Sequence, residues 1–445
     1  MKKFLLLCLI FFPCFCLFAE SINLEQARIM ALANSRSLAK ISLSMRGSEL
    51  DEKAHIFSML PGVSLGYTAS IDYLNKNWDF LNPADTFKAG VNLAITQNIF
   101  DGGKSFIQKS INSIATESVR KQALEEYYNV LDSVDNAYYA VLEAAATLES
   151  EESSLQTAKD SLAIAEIRQA SGMINSGDYL KALADNESRT NSRNQARRNL
   201  ALNETKLKSI TGLTISLQPE EIDISGLEEL IIYLGDISDE DADALYNRFW
   251  SILTASNPSL ARSALNRQRA EKNLSIAKRD YTPTISASVF TSSLGYTAGD
   301  GFGTSSGGGI TLKGSIPLDF WVMSNKIEKS KIAVDSASLD YISTEIQLET
   351  DLRSSLLKTF DYAGSVISSR RSFEYAEKHF EYVAERYRLS QSSISDLNEA
   401  STLLINNRNN YIKSHYGFLK SLSTLRSLGT IAEEERLLKI MMGDI

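Results

Sequence analysis

Seven of the chain's 23 glycines fall between Gly295 and Gly309, in GYTAGDGFGTSSGGG. Amides freed of side chains can cradle a phosphate, but a P-loop needs G-x-x-x-x-G-K-[ST] between a strand and a helix. No lysine stands at that spacing, and Gly299 and Gly301 are followed by Thr304, so G-x-G-x-x-G cannot be read either. His55, His379 and His415 stand alone on helical segments, without the spacing of metal ligands. No G-x-S-x-G elbow frames a serine. The residues that could do chemistry therefore predict no catalytic centre, no cofactor and no metal ion.

The N-terminus, MKKFLLLCLIFFPCFCLFAE, sets Lys2 and Lys3 ahead of an apolar stretch from Phe4 to Phe18 and a small Ala19. This predicts a secretory signal over residues 1–19, since the run is short for a membrane span and broken by Pro13. Cys8, Cys14 and Cys16, the three cysteines, all lie inside it, so the mature chain is expected to hold no disulfide and no thiolate chemistry. Lipidation of Cys16 is the alternative, against a poor lipobox. The net charge of -9, without a basic run, argues against nucleic acid as a partner. It reads as a solvated surface, with a cation-attracting cavity as the alternative. Past the leader no apolar run is long enough for a helical span, which leaves an exported chain either soluble or a β-barrel.

Stepping along the chain, the elements come twice. Ser37-Leu38-Ala39 aligns with Ser259-Leu260-Ala261 at an offset of 222, as do Pro61 with Pro283 and Val63 with Ile285. VNLAITQNI (from Val91) aligns with TLKGSIPL (from Thr311), and Asp178 and Ala182 fall on Asp396 and Ala400 at an offset of 218. This predicts two internal repeats, each of a helix, a β-hairpin and two long helices joined by a tight turn. The first covers residues 20–213, with a hairpin over about 63–99 and helices over about 103–171 and 177–211. The second covers 244–430, with a hairpin over about 285–318 and helices over about 324–390 and 394–428. Residues 214–243 form an acidic linker, and 431–445 a C-terminal segment.

The strands alternate. Val63, Leu65, Tyr67, Ala69 and Ile71 face one way, and Ser64, Gly66, Thr68 and Ser70 the other; Val91, Leu93 and Ile95 and then Ile310, Leu312 and Ile316 repeat the pattern. Strands of about nine to eleven residues suit a tilted transmembrane barrel; a hairpin packed by one face on a soluble core is the alternative. Four strands cannot close a barrel, for which about eight are needed, so a membrane reading requires several chains per barrel. The helices are longer still. No proline interrupts Lys104 to Ala170, and Val134, Val141, Leu148, Leu155 and Leu162 recur by sevens, as do Leu397, Leu404, Tyr411, Phe418 and Leu425. Sustained heptads predict coiled-coil packing, and about 65 helical residues reach about 100 Å. The stripe Asn407, Ser414, Ser421 is polar, so these helices are expected to keep water on a broad side.

Together these features resemble the TolC family of outer-membrane efflux and secretion channels. The resemblance rests on LEQARIMALANSRSL, on ITQNIFDGGK (Ile95 to Lys104), on the turn SGMINSGDYLKA (Ser171 to Ala182), and on their second-half counterparts. It implies a mixed α/β membrane protein: a homotrimer with one twelve-stranded outer-membrane β-barrel continuing into a periplasmic tunnel of helices, with the linker and C-terminus forming an equatorial belt. It further implies passive transport, with a periplasmic adaptor and an inner-membrane pump of the RND, ABC or MFS type as partners, besides outer-membrane lipid. On that likeness Asp396 and Glu399 would ring the pore constriction and attract cations, while Asp178 and Tyr387 would join the bonds that hold the tip shut. Gly172 and Ser390 would stand at the adaptor-contacting turns. The family's arginine in the tip network falls on Ser392, and Asn98 stands where the second half keeps Pro317. Capping is the alternative for the acids, because Ser393-x-x-Asp396 can form a capping box. The glycine run, lying between two alternating segments, then reads as an extracellular turn at the barrel's outer mouth. An exported structural or adhesive coiled-coil protein without a pore, and an exported enzyme, are the competing readings.

Overall fold

The computed structural model describes residues 21–71, 87–212, 218–219, 225–297, 301–303 and 307–443. The expected signal at 1–19 and the first-half turn from Leu74 to Thr86 lie outside the described residues. In chain order the elements are β1 (Ser21–Ile22), α1 (Leu24–Asn34), α2 (Arg36–Ser58), β2 (Gly62–Ile71), β3 (Phe87–Phe100), α3 (Lys104–Ala170) and α4 (Ser176–Thr211). They continue with β4 (Gln218–Pro219), α5 (Glu228–Gly235), α6 (Asp239–Ser256), α7 (Pro258–Lys278), β5 (Thr284–Thr297), β6 (Gly301–Gly303) and β7 (Gly307–Ser315). The chain ends in α8 (Phe320–Arg388), α9 (Ile394–Leu428) and α10 (Glu434–Met442). Helix therefore dominates, beside a small antiparallel sheet.

The chain divides into two units. One comprises Ala39–Glu125 and Pro258–Leu348 and contains that sheet. Its long strands run in the order β2-β3-β5-β7, all antiparallel, with the short β6 also paired to β5. β3 and β5, which come from the two halves of the sequence, join the hairpins into one sheet along twelve residue pairs. At the foot of the strands Asp101 accepts the Gly103 and Ser105 amides at 2.9 and 2.8 Å and so starts α3. A left-handed φ of +74° at Gly102 makes that turn, and a β-carbon there would stand 1.8 Å from Thr282 Oγ1. Only glycine fits such a backbone.

The second unit comprises Met1–Leu38, Glu126–Asn257 and Glu349–Ile445. One core gathers Ile22, Ala27 and Ala31 against Val134, Tyr138, Val141 and Leu142 of α3 and Ile412, Tyr416 and Leu419 of α9. Within this unit Asp135 is fully buried. Its carboxylate takes Nε and Nη2 of Arg28 at 2.7 and 2.9 Å, Arg426 Nη2 at 2.5 Å and Ser423 Oγ at 2.5 Å. Burial is the largest single influence on Arg28 and opposes its charge, but the bond to Asp135 together with the charges of Asp135 and Glu434 raises the guanidinium pKa on balance. The polar stripe of α9 departs from its expected role at Ser421, which is buried and donates to the Phe418 carbonyl at 2.7 Å. A hydroxyl satisfied by its own helix needs no water.

Candidate functional site

Two surfaces are built by these elements: one face of the sheet, and the turns that end the long helices. On the sheet the registers align Val63 with Ile95, Ile95 with Val289, and Val289 with Ile310, making one apolar row across all four long strands. These side chains are 69%, 42%, 51% and 79% exposed. Leu65 beside Leu93 and Tyr67 beside Val91 extend the face, and all four are exposed as well. The opposite face carries Ser64, Thr68, Asn92, Thr96, Ser288 and Thr311. A sheet that packs one face on a soluble core buries its apolar side. This one leaves it open.

The glycine run contributes to the same sheet. Gly307, Gly308 and Gly309 do not stay in the expected turn but pair with Ser292, Thr291 and Phe290 as the start of β7. The Phe290 ring explains Gly309: a β-carbon there would meet Phe290 Cζ at 3.0 Å. Residues 298–300 and 304–306 of the run lie outside the described residues.

Both helical turns have one design. After α3, the Gly172 amide bonds the Gln169 carbonyl at 2.9 Å and the Met173 amide bonds the Arg168 carbonyl at 2.8 Å. After α8, the Ser390 amide bonds the Tyr387 carbonyl at 3.0 Å and the Gln391 amide bonds the Arg386 carbonyl at 2.7 Å. These are Schellman motifs, whose central residue must be left-handed; φ is +71° at Gly172 and +60° at Ser390. The next helix then starts on a cap. Asn175 Oδ1 accepts the Asp178 amide at 2.9 Å, and Ser393 Oγ accepts the Asp396 amide at 3.2 Å.

Asp396 completes a capping box by accepting the Ser393 amide at 2.9 Å, and that bond holds its exposed carboxyl below the usual range. Glu399 is exposed one turn further along α9. Asp178 accepts from Asn175 Nδ2 at 3.0 Å and pairs with Lys181 at 3.6 Å. Tyr387 is buried in a cluster with Ala165, Ala182, Val383, Ile394, Leu397 and Ala400. Its phenol pKa is raised by burial first, with Arg168 lowering and Asp178 raising it. The structure thus brings Tyr387 within the field of Asp178, although no hydrogen bond joins them among the described residues.

Arg168, which the sequence reading did not single out, holds the two turns together. Its Nη2 donates to the Tyr387 carbonyl at 2.6 Å and to the Arg388 carbonyl at 3.3 Å, and its guanidinium lies 4.5 Å from the Tyr387 ring centroid. It therefore caps the C-terminal end of α8, where a cation meets the free carbonyls and the negative dipole end. Among the described residues the Ser392 hydroxyl donates to the Val383 carbonyl at 3.3 Å, and Arg388 is exposed beside Glu385. Among the described residues no group of acids, histidines and cysteines is arranged to hold a metal ion. No helix among them is long and apolar enough to cross a membrane.

Comparison with known proteins adds to this geometry. The chain matches the sequence profile described as outer membrane efflux protein over residues 29–213 and 250–429. No curated protein sequence matches it. Its fold is similar to that of a membrane protein from Pseudomonas aeruginosa, at 16% identity and a TM-score of 0.77, with 91% of this chain and 90% of that one covered. It is also similar to the CmeC outer membrane channel of Campylobacter jejuni, at 15% identity and a TM-score of 0.75, with 95% and 89% covered. The outer membrane protein VceC of Vibrio cholerae is 15% identical with a TM-score of 0.73, over 91% of this chain and 96% of that one. With an open apolar sheet face, long helices closed by matched turns and a profile match over most of its length, the chain belongs to the outer membrane efflux protein family.

Proposed function

We propose that three copies of this chain close one twelve-stranded barrel in the outer membrane and continue as a helical tube through the periplasm. The assembly is the exit duct of an efflux pump or a type I secretion system. The observation that carries this reading is the row Val63, Ile95, Val289 and Ile310, apolar and exposed, with polar and small residues, Phe290 excepted, on the opposite face. Apolar outside and polar inside is the wall of a membrane barrel. Four long strands per chain fall short of the roughly eight that closure needs. As edge strands, β2 and β7 offer backbone groups to a neighbouring copy.

Equal architecture in the two halves supports reading each chain as two repeats. α3 and α8 have 67 and 69 residues, α4 and α9 have 36 and 35, and the Schellman residues Gly172 and Ser390 stand 218 positions apart (390 - 172). Transport is passive, and an inner-membrane pump supplies energy through a periplasmic adaptor that meets the turns at Gly172 and Ser390. Asp396 and Glu399 from three chains place six carboxylates around the entrance. The lowered pKa of Asp396 keeps it charged at neutral pH, and such a ring favours cations. Capping and ring formation are compatible, because the box uses a carboxylate that stays exposed.

Cell fractionation with native mass measurement tests this reading. The protein should be recovered from the outer membrane only with detergent, as a particle containing three chains. A monomer released into the aqueous fraction contradicts it and favours an exported rod without a pore.

A further inference from the structure

We propose that a cavity beside α10 is a binding site for a small amphiphilic carboxylate, an organic acid with an apolar body. Arg426 receives the carboxylate, and leucines of α9 and α10 enclose the body. Every residue involved lies in the second unit, so the site needs no neighbouring copy and stands whether or not the barrel forms.

The cavity measures about 280 Å³. Its polar side gathers Arg28 of α1, Asp135 and Tyr139 of α3, and Arg426 of α9. Its apolar walls are Leu419 and Leu422 of α9, Leu437 and Leu438 of α10, and Leu227 just ahead of α5. The polar side has donors to spare. A carboxylate offers about four acceptor sites, and Asp135 fills them with two bonds from Arg28 and one each from Ser423 and Arg426. Arg28 spends its Nη1 on Glu25 at 3.3 Å. A guanidinium has five N–H donors. Among the described residues that of Arg426 bonds only Asp135, through Nη2. Arg426 is 4% exposed, so its remaining donors meet little besides the cavity. Tyr139, 3% exposed on the same lining, has a hydroxyl that finds no protein acceptor among the described residues.

Charge selects the ligand's head. Two guanidinium groups against one carboxylate leave the buried cluster one positive charge in excess (2 - 1). The nearby acids Glu25 and Glu434 are exposed, so water screens them. Burial first, and the charge of Asp135 second, push the Tyr139 phenol up, which keeps it protonated and able to donate. A guanidinium with free edges pairs with a carboxylate through two parallel bonds. The leucines select the body. A mostly apolar pocket with a few convergent polar groups suits a small organic ligand better than a bare inorganic anion. A leucine-lined cavity of about 150 Å³ holds benzene, so about 280 Å³ admits a ring, a short chain and a carboxylate. The bound acid ties α10, a helix of nine residues, to the ion cluster of α1, α3 and α9.

Calorimetric titration of the full chain in detergent with phenylpropanoate tests the site, with micelles alone as the blank. One molecule should bind per chain. Phenylpropanamide, neutral and of the same shape, and acetate, charged but without the body, should each bind at least about tenfold more weakly. Arg426→Gln should weaken phenylpropanoate at least about tenfold, and Leu438→Phe should do the same by filling the apolar side. Glu434→Gln should tighten it about threefold by removing a like charge from the lining. With phenylpropanoate at about nine times its Kd, the Leu437 amide, which bonds the Glu433 carbonyl, should exchange about tenfold more slowly. Leu438→Phe leaves the ion cluster intact, so it decides the matter if Arg426→Gln fails to fold. An amide or an acetate that binds as tightly as phenylpropanoate overturns the site, as does full affinity in Leu438→Phe or the lack of any saturable binding.

Discussion

Replacing Arg168 by alanine should loosen the end of α8, and the size of the effect follows from its two contacts. The bond to the Tyr387 carbonyl at 2.6 Å has a charged donor, a class that contributes about 1.5–3 kcal/mol. The guanidinium lies 4.5 Å from the Tyr387 ring, worth about 0.5–2 kcal/mol. Arg168 is half-buried, so the lower part of each range applies and the sum is about 2 kcal/mol. That shifts the equilibrium between packed and released turn by about 30-fold. Hydrogen exchange at the Ser390 and Gln391 amides reads it, because they bond the carbonyls of Tyr387 and Arg386. Both should exchange about 30-fold faster in Arg168→Ala. Tyr387→Phe should stay within about twofold of the unchanged protein, since Arg168 uses the ring face and the main-chain oxygen, which phenylalanine keeps. Equal protection with and without Arg168, or a Tyr387→Phe effect as large as that of Arg168→Ala, would mean that Arg168 does not hold the end of α8.

Four other outcomes are expected. Ser390→Gly should stabilise the second turn by about 1 kcal/mol and Gly172→Ser should destabilise the first by a similar amount, because both positions are left-handed; denaturant midpoints in detergent check the pair. Asp135→Ala should cost about 3–5 kcal/mol in the same assay by stranding two buried guanidinium groups, and a neutral result would mean that the cluster does not stabilise the fold. The Asp396 carboxyl has a folded-state pKa below its unfolded value, so its stabilisation is complete above the ordinary carboxylate range and is lost as pH falls through the lowered value. The Ser393 amide should therefore keep its protection at neutral pH, and loss already at about pH 6 would contradict the capping box. Asp396→Ala with Glu399→Ala should lower cation selectivity and weaken block by trivalent cations in single-channel recordings; unchanged selectivity would leave the acids with helix initiation alone.

Long helices and antiparallel hairpins were legible because their periods are local: sevens along α3 and α9, twos along β2, β3 and β7. The capping box at Ser393 was legible for the same reason, since a cap and its partner lie three residues apart. What escaped the sequence depends on contacts between distant segments. The pairing of β3 with β5 joins strands nearly 200 positions apart, and no local pattern encodes it. Arg168 meets Tyr387 across 219 positions and reads in sequence as one more cation in a helical last turn. Asp135, set among Leu131, Val134 and Tyr138, reads as an ordinary polar interruption until Arg28 and Arg426 converge on it. The glycines at 307–309 suggested a turn because glycine is poor in strands, and the Phe290 ring that accepts Gly309 lies on another strand.

Planar-bilayer recording of the purified protein decides whether it forms a channel. If the exposed row through Val63, Ile95, Val289 and Ile310 faces lipid around an aqueous lumen, trimers should insert from detergent and give discrete, cation-preferring conductance steps. Those steps should lengthen in open time in Arg168→Ala. Folded trimers that add no conductance to the bilayer, with or without Arg168, would contradict the channel.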